Sequence, residues 1–157
     1  ELGVQPRSNV DSTDAYIRWM IRRDMSTVLD IEHWSFEFPW SEDDFVNALR
    51  QRNTIGMVCE VNDHVAGFVI YELHKSHFRI VNLAVAYQYR RCGIGRLLVD
   101  KLIGKLDDRR RRVVAVVREA NLAAQMLFRA CGFMATAILR DHYADTDEDA
   151  YQMECSR

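Results

Sequence analysis

The chain has little of what would point to a membrane, a metal centre or a disulfide framework. No apolar stretch approaches the roughly 20 residues that cross a bilayer, and the start, from Glu1, shows no basic-then-apolar leader pattern. The four cysteines, Cys59, Cys92, Cys131 and Cys155, are dispersed, with no CxxC pair and no Cys/His ligand spacing. That pattern argues for reduced thiols in a cytoplasmic chain and against a bound metal. Two prolines, Pro6 and Pro39, and the absence of a Gly/Ser tract leave no linker to mark a domain boundary. Neither sign of charge dominates: 21 Lys and Arg face 23 Asp and Glu, a net of -2, so no bulk attraction to nucleic acid or a membrane surface is expected. The one block of like charge is Arg109-Arg110-Arg111-Arg112. It has no interleaved aromatics and reads as the basic end of a helix, complementing the dipole there, rather than as a nucleic-acid surface.

What is present suffices for one core. The 157 residues are 48% hydrophobic and 28% charged, an ordinary globular balance that needs no staples. Residues 1–14 are polar and irregular and read as a loose end; residues 15–157 read as one domain. A first strand is expected from Ala15 to Arg22, then a helix capped by Asp24 and running to Ser35. Phe38-Pro39-Trp40 breaks it. Ser41-Glu42-Asp43-Asp44 is an Asp variant of the capping box and opens a second, short helix. Strands over Ile55–Val61 and Val65–Leu73 flank the hairpin composition Asn62-Asp63-His64. Phe78–Ala86 is the next strand, and Ile94, Leu97, Leu98, Leu102 and Leu106 have helical spacing. Val113–Val117 is apolar throughout, as in a strand covered on both faces. Asn121 caps a helix carrying Ala123, Met126, Leu127, Ala130 and Cys131, with Gly132 as its stop. Strands over Phe133–Leu139 and Ala150–Cys155 complete a β-α-α-β-β-β-α-β-α-β-β order, a mixed α/β sheet.

The most informative stretch is Tyr89-Arg90-Arg91-Cys92-Gly93-Ile94-Gly95-Arg96. It joins an apolar strand to an amphipathic helix, where the first helical amides lack internal partners and the dipole favours an anion. Gly93 and Gly95 would let a phosphate approach the backbone, and three arginines surround the turn. No GxxxxGK[ST] is present, and Leu98 stands where a dinucleotide fingerprint needs a third small residue. Taken alone, the turn could equally use its glycines for tight strand–helix packing.

The pattern Arg-x-x-Gly-x-Gly resembles the acetyl-CoA pyrophosphate loop of the GNAT N-acetyltransferases, and the element order is the GNAT order. Within them the chain most resembles the ribosomal-protein-alanine N-acetyltransferases. Phe38-Pro39-Trp40-Ser41, Asn82-Leu83-Ala84-Val85, Arg118-Glu119-Ala120-Asn121-Leu122-Ala123-Ala124 and Arg140-Asp141-His142-Tyr143 carry that likeness. The resemblance implies a mixed, mostly antiparallel twisted sheet flanked by helices on both faces. It implies acetyl transfer from acetyl-CoA, with no metal, to a primary amine: a peptide or protein N-terminal α-amine, with a ribosomal protein as the family's partner. By position, main-chain groups of Leu83, Ala84 and Val85 would meet the acetyl and pantetheine part. The turn Arg90, Arg91, Cys92, Gly93, Ile94, Gly95 and Arg96 would hold the diphosphate, and Asn121 and Phe128 would border the pantetheine arm. Asn121 is also a plain helix cap, and both roles can coexist. Phe38, Pro39, Trp40 and Tyr143 would line the amine substrate.

Two positions depart from the family. Val116 stands where the family has its glutamate base, and Phe128 where it has its tyrosine acid, which implies a slower chemical step or substitute groups. Tyr143, His142 and Glu119 are the candidates, with His74 and His77 behind them. The residues identify no base. Two other readings stay open: a GNAT acting on a small-molecule amine, and a non-catalytic acyl-CoA-binding or interaction module.

Overall fold

The computed structural model describes residues 14–143 and 146–157. In chain order the elements are β1 (Ala15–Trp19), α1 (Met25–Ser35), α2 (Glu42–Leu49), β2 (Thr54–Val61), β3 (His64–Leu73), β4 (His77–Val85), α3 (Ile94–Ile103), β5 (Arg112–Arg118), α4 (Leu122–Ala130), β6 (Met134–Leu139) and β7 (Ala150–Ser156). Short 3-10 turns sit at Arg22–Asp24 and Tyr87–Tyr89. The strands form one seven-stranded sheet in the order β1-β2-β3-β4-β5-β7-β6. Every neighbouring pair is antiparallel except β4 and β5. The mixed, mostly antiparallel sheet expected from the sequence is therefore what the chain forms. The loose end expected for residues 1–14 lies, apart from Asp14, outside the described residues.

Central strands are apolar on both faces because both faces are covered. Along β2 the alternation is clean: Met57, Cys59 and Val61 join a core beneath α3 and α4, while Val58 joins a second core beneath α1 and α2. Leu98, Val99, Leu102 and Phe128 fill the first layer, and Val28, Ile31 and Phe45 the second. The β4 register with β3 slips once, from Ile70↔Asn82 to Tyr71↔Ile80, which leaves Val81 as a bulge. The bulge exchanges faces. Phe78 and Ile80 belong to the α3 layer, whereas Ala84 belongs to the α1 layer.

Three local expectations are corrected. The first strand ends at Trp19 rather than Arg22, because Met20 N–H turns to the Gly56 carbonyl and a 3-10 turn follows. Asp24 occupies the N-cap position of α1 without capping it. Its carboxylate instead accepts two bonds from the Arg18 guanidinium, at 2.7 and 2.8 Å, and one from Ile21 N–H at 2.8 Å. Helix α3 stops at Ile103, before Gly104, so the four arginines do not lie on its last turn. Asp107 gathers the Arg109 and Arg110 amides, Arg110 stacks its guanidinium over Phe78 at 5.6 Å, and Arg112 enters β5 and pairs with Glu154 at 3.0 Å. Leu106 keeps the apolar spacing but packs from the turn beyond the helix.

Candidate active site

Strands β4 and β5 run parallel from His77↔Arg112 to Ile80↔Ala115, and no register between them is described beyond that point. The rest of β4, from Asn82 to Val85, is still paired with β3 on its other side. The rest of β5, Val116 to Arg118, is paired with β7. Each strand thus turns toward the other an edge that the other does not pair, at the end of the sheet from which α3 and α4 begin, with the Val85 carbonyl taken by Arg90 and the Arg118 carbonyl by Asn121 N–H and Gln125. Unpaired backbone groups there need a partner from outside the sheet.

Helix α3 opens beside this parting. Its first main-chain bond is from Leu97 N–H to the Gly93 carbonyl, at 3.0 Å. The amides of Ile94, Gly95 and Arg96 precede that bond and have no acceptor within the helix. Left-handed backbone at Arg91 (φ 62°) and Gly93 (φ 78°) bends the turn that leads into these amides. A Cβ at Gly93 would meet nothing within 4 Å, so its role is the backbone angle. Gly95 differs. A Cβ there would lie 3.0 Å from Leu127 Cδ2 and 3.6 Å from Val85 Cγ2, so its missing side chain admits α4 and β4 rather than a ligand. The packing use of glycine, one of the two sequence readings, holds at Gly95.

The basic side chains are partly committed. Arg90 donates to the Val85 carbonyl and the Ser35 hydroxyl, both at 3.3 Å, and its guanidinium lies 5.7 Å from the Tyr87 ring centre. Arg96 faces Asp100 at 3.7 Å, while Arg91 is exposed. Cys92 is half-buried and directs its thiol to the Arg90 carbonyl at 3.6 Å. Asn121 caps α4, its Oδ1 accepting Ala124 N–H at 3.1 Å. Leu83 and Val85 pack their side chains against the larger core, so only their main chain is offered to the parting, and Ala84 packs on the opposite face.

At the mouth, Arg118 ends β5 as the centre of a stack. Its guanidinium carbon lies 3.7 Å from the Tyr143 ring centre and 5.3 Å from that of Phe38. Arg118 Nη1 also reaches Glu148 Oε2 at 3.2 Å and Thr146 Oγ1 at 3.4 Å. One planar cation therefore gathers the α1–α2 segment and the β6–β7 connection over the open end of the sheet. His142 stands edge-on to Tyr143, ring centres 4.9 Å apart. Glu119 is exposed at the same end, its amide bonded to the Asp149 carbonyl.

The histidines of the β3–β4 turn are elsewhere. His74 and His77 stack on one another, 4.7 Å between centres, beside Arg112. His77 begins β4 and Leu83 lies six residues on, so about 20 Å of strand, at roughly 3.3 Å per residue, separates the pair from the Leu83 main chain. Burial, then His74 and Arg112, holds the His77 imidazole below its usual pKa. Both lie at the end of β4 away from Val85 and the start of α3. Val116 is half-buried, and Phe128 is 4% exposed with its ring 5.0 Å from Phe133. Among the described residues no group of three or more His, Cys, Asp or Glu side chains is placed to hold a metal ion.

A parallel pair that parts beside a helix N-terminus, within this strand order, can be compared with known proteins. Residues 17–133 match the acetyltransferase (GNAT) family. The chain belongs to the GNAT family. A GNAT relative from Escherichia coli K12, the [ribosomal protein bS18]-alanine N-acetyltransferase, is 33% identical over 133 residues, covering 83% of this chain and 89% of that one. The crystal structure of the Escherichia coli ribosomal-protein-S18-alanine N-acetyltransferase superposes with a TM-score of 0.80 at 30% identity, over 90% of this chain and 93% of that one. That of Ard1 from Thermoplasma volcanium gives 0.80 at 26% identity, over 91% and 97%. As a GNAT, the chain is an acetyl-CoA-dependent N-acetyltransferase, the activity the sequence implied.

One buried contact escaped the sequence reading. Glu32, on α1 and 2% exposed, accepts Trp40 N–H on Oε1 at 3.0 Å and Asn82 Nδ2–H on Oε2 at 2.9 Å. Burial raises its pKa above the usual carboxylate value although both bonds pull it down. The signal was in the helix: Glu32 follows Val28 by four residues and so lies on the apolar face of α1. A carboxylate on such a face must hold something.

Proposed function

We propose that this GNAT acetylates the N-terminal α-amine of a peptide or protein, an alanine-starting ribosomal protein being the first to test. The observation that supports it best is the Phe38–Arg118–Tyr143 stack. It builds a wall from two separate connections at the open end of the β4–β5 parting, where an extended chain end could be gripped next to the thioester. The Escherichia coli relative, named for a ribosomal-protein alanine, favours the same substrate.

In this reading the diphosphate of acetyl-CoA lies on the turn from Arg90 through Arg91, Cys92, Gly93, Ile94 and Gly95 to Arg96. The pantetheine arm runs between β4 and β5 along the main chain of Leu83, Ala84 and Val85, bordered by Asn121 and Phe128. Phe38, Pro39, Trp40 and Tyr143 line the amine. The neutral amine attacks the thioester carbonyl, the C–S bond breaks, CoA leaves as thiolate, and the extra amine proton passes to water. No covalent enzyme intermediate is involved. Cys92 is spent on the Arg90 carbonyl.

Val116 and Phe128 stand in for the family's base and acid, and neither side chain carries a proton to move. An α-amine has a pKa near 8, so about a tenth is neutral at pH 7, a cost of ~1.4 kcal/mol. Acid–base help is worth roughly 10²–10⁴-fold, and placing the amine against the thioester can supply more. Transfer therefore proceeds with a slower chemical step. Incubation with acetyl-CoA and an alanine-starting peptide, followed by mass spectrometry, should show one acetyl on the terminal nitrogen. Acetylation of polyamines or aminoglycosides with the peptide untouched would replace this reading by a small-molecule one. Binding of acetyl-CoA without turnover on any amine would make the chain a non-catalytic acyl-CoA module.

A further inference from the structure

A buried carboxylate is an expensive way to fill space. The core beneath α1 and α2 is made of Val28, Ile31, Phe45, Val58, Phe68 and Ile70, and a leucine or methionine at position 32 would suit those neighbours without desolvating a charge. The described partners of Glu32 are two neutral donors, so no ion pair offsets its burial. What distinguishes this carboxylate is where its two donors come from. Trp40 N–H is the first amide after Pro39, in the segment that carries Phe38 to the Arg118 stack. Asn82 follows the Val81 bulge, at the point where β4 has left β5 and just before Leu83. The bulge puts Asn82 on the α1 face, within reach of Glu32, and leaves the next main-chain groups at the parting.

We propose that Glu32 is a positioning residue for the amine substrate: one carboxylate ties the Phe38–Trp40 segment to β4 at Asn82 and so sets the spacing between amine and thioester. The proposal rests on the reading of this site as an N-terminal acetyltransferase. With one oxygen on each side, the α1–α2 segment cannot move relative to β4 without breaking the part-buried bond to Trp40 or the buried one to Asn82. Acetyl-CoA touches only the β4 side of this link, so its affinity should be insensitive to it. The amine meets both sides.

Four variants and three measurements test this. Glu32→Ala should raise the KM for an alanine-starting peptide by about tenfold or more, the scale of a buried donor left unpaired, while the Kd for acetyl-CoA, by calorimetry, stays within about twofold. Hydrogen exchange of the Trp40 amide, read by mass spectrometry on the free protein, should speed up in the same variant. Glu32→Gln keeps its oxygen for Trp40 N–H and, once the Asn82 amide turns over to present Oδ1, donates Nε2–H to it, so it should hold the peptide KM that Glu32→Ala loses. Asn82→Leu in the Glu32→Gln background removes that acceptor and should raise the peptide KM again. Val28→Ala, a plain cavity in the same helix and core, is the control for lost stability. An equal rise in peptide KM in Val28→Ala, or acetyl-CoA affinity falling in step with peptide KM in Glu32→Ala, would reduce Glu32 to a stability role and overturn the proposal. Should Glu32→Ala not fold, the Gln single and double variants decide by the same criteria. Unchanged exchange at Trp40 removes the anchor whatever the substrate; a wild type that acetylates no peptide removes the functional reading instead.

Discussion

Phe128 differs from tyrosine by one hydroxyl, and in the proposed reading that hydroxyl is the acid the site lacks. If CoA leaves without an acid, supplying one should quicken the step. Phe128→Tyr is expected to raise the single-turnover rate on an alanine-starting peptide by about tenfold, measured by rapid quench with enzyme in excess. A flat rate would transfer the role to Tyr143, and Tyr143→Phe should then lose turnover. At this scale the sequence was readable where the chemistry is local. Ser41 accepts Asp44 N–H and Asp44 accepts Ser41 N–H, and Asn121 caps α4, each from a spacing visible in the chain. Glu32 and Asn82 are 50 residues apart. Their meeting depends on a bulge that no local pattern announces, and the Arg118 stack likewise joins three distant segments.

Gly95 shows how a glycine in a turn can serve packing. The element that needs its bareness is α4, through Leu127. Gly95→Val should therefore destabilise the fold by about 1–3 kcal/mol through overpacking, seen as a lower denaturation midpoint in urea. Adding Leu127→Ala should restore part of it by making room. If the second change only worsens stability, Leu127 is not the obstacle. Elements themselves were legible because strands buried on both faces read as apolar runs and helices as stripes. Their ends were less so. Leu106 continues the stripe of α3 past Gly104, which misplaced the arginine run, and Asp24 looks like a cap until Arg18 claims its carboxylate.

Seen whole, the molecule holds its edge strand by charge. Arg18 on β1 binds Asp24 before α1 and Glu60 on β2, and the Tyr16 hydroxyl donates to Glu60. The Arg18 guanidinium, above all, holds the Asp24 carboxyl below its usual pKa. A carboxyl depressed in the folded state contributes stability that is complete above its unfolded pKa, near 4, and lost as pH falls through the lower folded value. Asp24→Asn should thus lower the thermal midpoint at pH 7 by several degrees, about 2 kcal/mol for a buried charged hydrogen bond. The gap from wild type should narrow below pH 4. A gap constant from pH 7 to pH 3 would show that the Asp24 charge is not what matters. Glu32 acts in the opposite sense: its raised pKa means that its ionisation costs stability, relieved as pH falls through the folded value. No helix among the described residues is long and apolar enough to cross a membrane. The short seam from His77↔Arg112 to Ile80↔Ala115 is where the sheet's two halves meet, and it makes the protein a natural pair of fragments. A chain cut between Ile103 and Arg112 would leave one piece with β1 to β4 and another with β5 to β7. With acetyl-CoA laid along the unpaired edges, as proposed, the ligand becomes a splint across the break, and the two pieces should reassemble more tightly in its presence than without it.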